Sequence, residues 1–361
     1  MRVVHIVEAL GGGVYTYFKD LSAFISENES DIEFYLIYSP NRKEIDKSRI
    51  EEDLSKSFKM IEISMVRELS LSKDFRSTHK VYKALKSISP DVVHLHSSKA
   101  SVIGRVANAF LFRKNTVFYT PHGYSFLRKD IPVYQTKIYW VIEKGTQALF
   151  GGVTIACGDT EYLEARKIGT SLLVRNGINT GEFFKKIEAR GPFSFTIGTV
   201  GRISEQKNPS LFNDIALRFP EIQFIWVGEG DLRNLLYAKN IIVTGWVNRE
   251  KVLEFVQKFN IYVQTSLWEG LPFTIIEAMI LSKPIVATNV IGNKDTVKNS
   301  YNGYLCNNVI EFENAIHSIK NDTTLEESFG KNSHIMAKEL FDRDTNFRKL
   351  IGIYSSAYTK G

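Results

Sequence analysis

The 361-residue chain has only two cysteines, Cys157 and Cys306. They lie far apart and form no metal-ligand spacing, so they read as structural thiols in a reducing cytoplasm. No apolar run reaches the roughly 18 residues that a membrane span needs. The segment Met1–Glu8 is too short and too interrupted for a signal peptide and reads as a first buried strand. Short repeats and low-complexity tracts are absent. So is G-x-G-x-x-G after that strand: Gly11-Gly12-Gly13 is followed by Thr16, which argues against NAD or FAD. Arginine-rich runs and RNA-binding motifs are missing too, so nucleic acid is not an expected partner.

What is present is a globular composition, 43% apolar and 24% charged, long enough for two domains. The formal charge is +6, and it is unevenly placed. Residues 99–150 hold eight basic groups, Lys99, Arg105, Arg113, Lys114, Arg128, Lys129, Lys137 and Lys144, against Asp130 and Glu143. Aromatic residues crowd the same stretch, among them Phe112, Tyr124, Tyr134 and Trp140. Cations beside amphipathic rings suit an anionic membrane surface. A solvated helix face over an aromatic core is the plainer alternative.

Strands alternate with helices along the chain, the signature of parallel sheets with crossover helices. The first half reads as strands at 2–8, 33–38, 60–63, 92–96, 116–120 and 152–156, with helices at 14–26, 74–88, 101–110 and after Asp159. The polar segment 185–192 reads as a linker or exposed turn. Strands at 195–200, 223–227, 241–244, 261–264 and 284–287 restart the pattern, with a helix at 209–219 and a last one at 346–358. The expected domains are 1–175 and 176–340, with 341–361 returning to the first. Ligands then belong in a cleft between them.

The richest stretch is Ser266–Met279. The strand Ile261–Thr265 leads into a turn bearing Glu269, then Gly270, Leu271 and Pro272, then a helix carrying Thr274 and Glu277. Pro at a first helical position sacrifices no hydrogen bond. The helix start therefore presents N–H groups at the carboxyl end of a strand, where α/β folds bind anions. A carboxylate lies on either side, which suits a diphosphate with hydroxyls at both ends, as in a nucleotide sugar. Upstream, Arg202 and Lys207 follow another strand, and two cations there would neutralise a diphosphate. Gly228-Glu229-Gly230 and Gly245-Trp246-Val247 sit at further strand ends.

This set, in this order and spacing, resembles the retaining glycosyltransferases of family four, and most closely the branch that builds bacterial capsule, exopolysaccharide and O-antigen units. Asp91–Ser98, Thr120-Pro121-His122-Gly123 and Asn176-Gly177 extend the likeness over nearly the whole chain. The resemblance implies an α/β GT-B fold, two facing Rossmann-like domains with parallel sheets and an interdomain cleft. It implies that Arg202 and Lys207 bind the donor diphosphate, helped by N–H groups near Gly12, Gly13 and Leu271–Thr274. Glu277 would take the ribose hydroxyls, Glu269 and the Gly270-Leu271-Pro272 loop the donor sugar. Gly245, Trp246, Val247 and Arg202 would border the base, and His122 would face the reacting sugar. Asn176 would help shape the domain crossing; where the family often has Asp, this chain has Asn179.

The implied activity is transfer from a UDP-linked or GDP-linked sugar to a polyprenyl-diphosphate-linked saccharide. Retention at C1, no cofactor and no metal requirement are expected, at the anionic inner face of the cell membrane. Plainer roles stay open: Glu269 as a capping carboxylate, Glu277 as a solvated helix residue, His122 as a structural histidine. His94 and His96 share a strand face, with no third metal ligand evident. Asp342-Arg343-Asp344 precedes a helix and reads as capping. A sugar-nucleotide 2-epimerase and a non-catalytic nucleotide-sugar-binding subunit remain as alternatives.

Overall fold

The computed structural model describes residues 1–8, 10–41, 47–66, 70–111, 115–179 and 195–359. The expected linker 185–192 lies outside them, as do Phe112, Arg113 and Lys114. The chain divides into two compact units. Unit 1 comprises Met1–Leu127, Val133–Ile178 and Arg343–Gly361; unit 2 comprises Arg128–Pro132 and Asn179–Asp342.

Unit 1 is built on a seven-stranded parallel sheet, β1 (Arg2–Val7), β2 (Glu33–Tyr38), β3 (Lys59–Glu62), β4 (Val92–His96), β5 (Thr116–Thr120), β6 (Val153–Ala156) and β7 (Ser171–Leu173). The spatial order is β3-β2-β1-β4-β5-β6-β7. The central strands β1 and β4 are buried almost throughout, as expected where helices cover both faces of a sheet. Helices α1 (Gly12–Glu27), α2 (Lys47–Leu54), α3 (Leu71–Ile88), α4 (Ser98–Ala109), α5 (Val133–Phe150), α6 (Asp159–Ile168) and the final α12 (Arg343–Tyr358) complete the unit. In α1, Tyr17, Phe18, Leu21 and Phe24 are buried at helical spacing.

Unit 2 repeats the plan with β8 (Thr196–Val200), β9 (Gln223–Val227), β10 (Ile241–Val243), β11 (Ile261–Gln264), β12 (Ile285–Thr288) and β13 (Gly303–Cys306). Their order is β10-β9-β8-β11-β12-β13, again all parallel. Its helices are α7 (Pro209–Arg218), α8 (Arg249–Lys258), α9 (Phe273–Ile280), α10 (Val309–Lys320) and α11 (Thr323–Phe341). Each unit has its own apolar core, around Val93, Leu95 and Tyr119 in one and Phe212, Phe224 and Trp226 in the other.

Strand order reverses between β1 and β4 in the first sheet and between β8 and β11 in the second. Crevices outside the carboxyl ends of strands at such reversals are the ligand sites of open α/β sheets. The chain leaves unit 1 after Ile178 and returns at Arg343, whose N–H donates to the Ile178 carbonyl at 3.2 Å. Gly177 fits there because a Cβ would come within 2.6 Å of the Arg343 Cα. Arg343 pairs with Glu27 and Asp344.

The structure corrects several element expectations. Helix α1 begins two residues earlier than expected, so Gly12 and Gly13 lie in its first turn. Pro272 is the residue before α9, not its first helical position. Helix α5 was not foreseen at all, nor were β7, β13, α8, α10 and α11.

Candidate functional site

In unit 2, the loops after β8 and β11 are stitched together. The Leu267 N–H donates to the Gln206 carbonyl at 2.8 Å, and the Thr265 hydroxyl to the Lys207 carbonyl at 2.7 Å. A 3-10 turn at Glu205–Lys207 carries Lys207, and Asn208, left-handed at φ 48, accepts from the Leu211 N–H to start α7. The loop after β9 closes on the same backbone. A Cβ at Gly228 would lie 2.2 Å from the Gly201 carbonyl oxygen, so only glycine permits this approach.

The centre of this arrangement is Glu269. Its Oε1 receives the Lys207 ammonium at 2.7 Å, the Ser266 hydroxyl at 2.6 Å and the Gln264 amide at 2.9 Å. Among the described residues its Oε2 receives only the Gln206 amide, at 3.3 Å. An ionised carboxylate offers about four acceptor positions, so Oε2 keeps capacity for a further donor. Lys207 likewise spends one of three ammonium protons on Glu269. Arg202 is exposed at the head of the same loop.

Helix α9 follows directly. The Ile275 and Ile276 N–H groups turn back to the Pro272 carbonyl at 3.1 and 3.2 Å. The N–H groups of Phe273 and Thr274, one and two positions into the helix, precede these and have no carbonyl of their own turn to reach. Glu277, one turn further, is buried beside Arg249 at 3.1 Å. Burial pushes its carboxyl above the ordinary value, and the Arg249 charge acts against that rise. Gly245, Trp246 and Val247 follow β10; Gly245 has φ 73, and Trp246 stands 65% exposed.

In unit 1, α1 begins at the end of β1 with no side-chain cap and no acidic residue in its first turn. Gly12 has φ 54, and a Cβ at Gly11 or Gly12 would meet nothing within 4 Å. His122 follows β5 at φ 53. Its loop is pinned by the buried Glu161, which accepts from the Gly123 N–H at 2.7 Å and the Cys157 N–H at 2.8 Å. Burial raises the Glu161 carboxyl, while those hydrogen bonds lower it.

His94 and His96 do have a third histidine beside them. His5, opposite His94 across the β1–β4 pairing, brings one nitrogen of each ring within 4.8 Å of the others. These nitrogens are engaged by hydrogen bonds. His5 Nδ1 and His96 Nε2 are 2.9 Å apart, and His94 meets the hydroxyls of Tyr354 and Thr120. Burial holds His5 down at about 3 and lowers His94 and His96 well below the ordinary value.

The structure thus brings Lys207, Glu269, Gly270, Leu271, Pro272, Thr274 and Glu277 into one connected stretch of unit 2, with Arg202 in the adjoining loop. It adds Gln206, Gln264, Ser266 and Arg249 there, and His5 and His96 behind His122 in unit 1. Gln206 adjoins Lys207 in sequence, and Ser266 opens the stretch Ser266–Met279. Arg249 carried no signal beyond Asn248, which caps α8 by accepting from the Lys251 N–H at 2.9 Å.

Residues 182–336 match the family described as Glycosyl transferases group 1. An Escherichia coli protein named UDP-Gal:alpha-D-GlcNAc-diphosphoundecaprenol alpha-1,3-galactosyltransferase is 31% identical over 297 residues, 73% of this chain and 74% of that one. The Staphylococcus aureus capsular polysaccharide biosynthesis glycosyltransferase CapM is 24% identical over 328 residues, 81% and 84% of the two chains. HepE of Anabaena, solved in complex with UDP-glucose, superposes with a TM-score of 0.79 at 17% identity, covering 99% of this chain and 100% of that one; at that identity the likeness establishes the GT-B fold. The identity and coverage of the Escherichia coli relative, joined to the group 1 match and this fold, show that the chain belongs to glycosyltransferase family four, in the branch that builds bacterial surface polysaccharides.

Proposed function

We propose that this enzyme transfers a hexose or N-acetylhexosamine from a UDP-sugar to a polyprenyl-diphosphate-linked saccharide, with retention at C1 and without a metal ion. The observation that carries this reading is the β8/β11 reversal, which gathers Lys207, Glu269 and the start of α9 in one place. Unit 2 holds the donor. Arg202, Lys207 and the first N–H groups of α9 receive the diphosphate. Glu277 accepts from the ribose hydroxyls, the exposed Trp246 and its neighbours border the base, and Glu269 Oε2 accepts from a sugar hydroxyl. Unit 1 binds the acceptor and supplies His122 and the N–H groups at Gly12 and Gly13.

As the bond from C1 to the leaving oxygen breaks, negative charge grows on the diphosphate. The two cations and the helix start oppose that growth, the electrostatic contribution that usually dominates catalysis. The acceptor oxygen bonds to C1, and its proton passes to the departing phosphate oxygen. Same-face attack fits the carboxylate arrangement. With Oε1 held by Lys207, Ser266 and Gln264 and Oε2 given to a sugar hydroxyl, Glu269 in this reading has no oxygen left to attack C1.

The lipid-linked acceptor has two supports. The Escherichia coli relative's name specifies a diphosphoundecaprenol substrate. Helix α5 is also inverted: its buried side chains are Glu143 and Gln147, while Val133, Tyr134, Ile138, Val141 and Leu149 are exposed. Lys137 and Lys144 flank that apolar face, with Lys144 4.8 Å over the Trp140 ring. Among the described residues no helix is long and apolar enough to cross a membrane. A helix of this kind lies in the interfacial plane of an anionic bilayer, here the cytoplasmic leaflet that displays the acceptor.

A thermal-shift screen of UDP- and GDP-sugars, followed by transfer assays on lipid-linked acceptors, tests the reaction. Stabilisation by a UDP-sugar and turnover on a diphosphate-linked lipid are expected. Conversion of a UDP-sugar to its epimer with no acceptor present would overturn the proposal. For the membrane face, wild type should sediment with anionic vesicles and Val141→Glu should not; equal sedimentation of both would remove α5 from the membrane.

A further inference from the structure

Three histidines of unit 1 form a continuous hydrogen-bonded file. His5 Nδ1 lies 2.9 Å from His96 Nε2, and His96 Nδ1 lies 3.0 Å from His122 Nε2. The rings stack at 5.2 Å between successive centroids, tilted by 28° and 19°. The inner end is closed. His5 is wholly buried beside the rings of Phe18, Phe34 and Phe58, and among the described residues its Nε2 has no hydrogen-bond partner. The outer end is His122, half-buried, whose only hydrogen bond among the described residues is to His96.

A neutral imidazole has one N–H and one bare nitrogen. The three rings must therefore point their protons the same way along the file. Pointing inward would leave a buried N–H at His5 Nε2 with no oxygen or nitrogen acceptor among the described residues. Pointing outward leaves a bare nitrogen there instead, and orphaned buried donors are the rarer of the two defects. We infer that the file is polarised outward: His5 and His96 are positioning residues that hold His122 as the Nδ1–H tautomer and make it a hydrogen-bond donor toward a substrate oxygen. The placement of His122 on substrate rests on the function proposed above; the tautomer does not.

The lowered basicity of His5 and His122, both held at about 3 by burial, keeps the rings neutral at working pH. His94 stands outside the file, because its partners are the Tyr354 and Thr120 hydroxyls, which can donate or accept.

The test is nitrogen-15 NMR of the full chain labelled on its seven histidines, assigned by single substitutions, without substrate. The expected spectrum shows His122 protonated at Nδ1 and bare at Nε2. Protonation at Nε2, a doubly protonated ring at neutral pH, or a stoichiometric metal ion on the three rings would overturn the inference. The wild-type spectrum tests the polarity by itself, so a variant that fails to fold gives no shelter. His5→Phe should release His122 into a tautomer mixture, and His5→Asn, which keeps an N–H near the Nδ1 position, should restore it. An unchanged His122 signal in His5→Phe also overturns the coupling. In transfer assays His5→Phe should lower kcat about tenfold, the worth of one modest hydrogen bond, with UDP affinity unchanged. A shifted tautomer with unaltered kcat would overturn the placement of His122 on substrate.

Discussion

Replacing Lys207 by Met should destabilise unit 2 as well as weaken catalysis, and the two effects can be separated. The Lys207–Glu269 pair spans 2.7 Å, with side chains only 17% and 9% exposed. Removing one partner of a buried pair costs about 3–5 kcal/mol. Ser266, Gln264 and Gln206 still donate to Glu269, so about 3 kcal/mol is the expected loss. At about 2–4 °C per kcal/mol for a domain of this size, the melting temperature should fall by about 6–12 °C. Glu269→Gln should cost less, about 1 kcal/mol, because Lys207 can turn toward solvent. With a coupling of about 2 kcal/mol, Lys207→Met/Glu269→Gln should lose about 2 kcal/mol instead of 4. Calorimetry on all four proteins measures the cycle. Strictly additive losses would show that the pair contributes nothing and would refute the reasoning. A second series adds UDP at about 100 times Kd, which should stabilise wild type by about 2.7 kcal/mol. The Lys207→Met protein should lose most of that gain if the ammonium meets the diphosphate.

Other expectations follow from the same geometry. Glu277→Ala should lower kcat/KM about a hundredfold, the scale of two charge-assisted hydrogen bonds to ribose. Arg249→Met should raise the Glu277 pKa further and move the acid limb of donor binding to higher pH; titration of KM against pH would show an unmoved limb if the pairing were idle. Excess EDTA should leave transfer rates intact, and loss of activity restored by a divalent ion would reverse the assignment of charge neutralisation to Arg202 and Lys207. His5, held at about 3 by burial against an ordinary 6.5, takes up a proton only on unfolding between those values. Its contribution to stability is therefore complete above about pH 6.5 and is lost as pH falls, about 2 kcal/mol by pH 5. Glu143 and Glu161, raised by burial, run the opposite way, so the informative quantity is a difference. Urea melts at pH 7.5 and 5 should show a smaller acid loss in His5→Phe than in wild type, and equal losses would refute the linkage.

The sequence was legible where local pattern and tertiary position agree. Val92–His96 and Ile261–Gln264 are continuous buried runs, and such runs read as parallel strands without knowledge of their neighbours. Glu269 and Glu277 were visible because glycine and proline punctuate the turn between them. Helix α5 was hidden for another reason: apolar side chains run round it, with Tyr139, Trp140 and Ile142 half-buried and Val133, Ile138 and Val141 exposed, so no single stripe stood out. The His5–His96 contact depends on β1 lying beside β4, which is a property of strand order and leaves no trace in spacing. The pairing of Arg249 with Glu277 likewise exists only after α8 and α9 have packed. Pro272 shifted by one position because a proline suits either side of a helix start.

The return of the chain to unit 1 at Arg343 has a consequence for biosynthesis. Tyr354 seals His94, and Phe347 meets Tyr17 at 5.4 Å between ring centroids. Both side chains leave the ribosome after every strand of either sheet. Unit 1 is therefore completed only after all of unit 2 has been translated, and it waits with an uncovered seam until α12 emerges. Deleting α12 from Phe347 onward would spare all of unit 2 and still uncover Tyr17 and His94 in the N-terminal half.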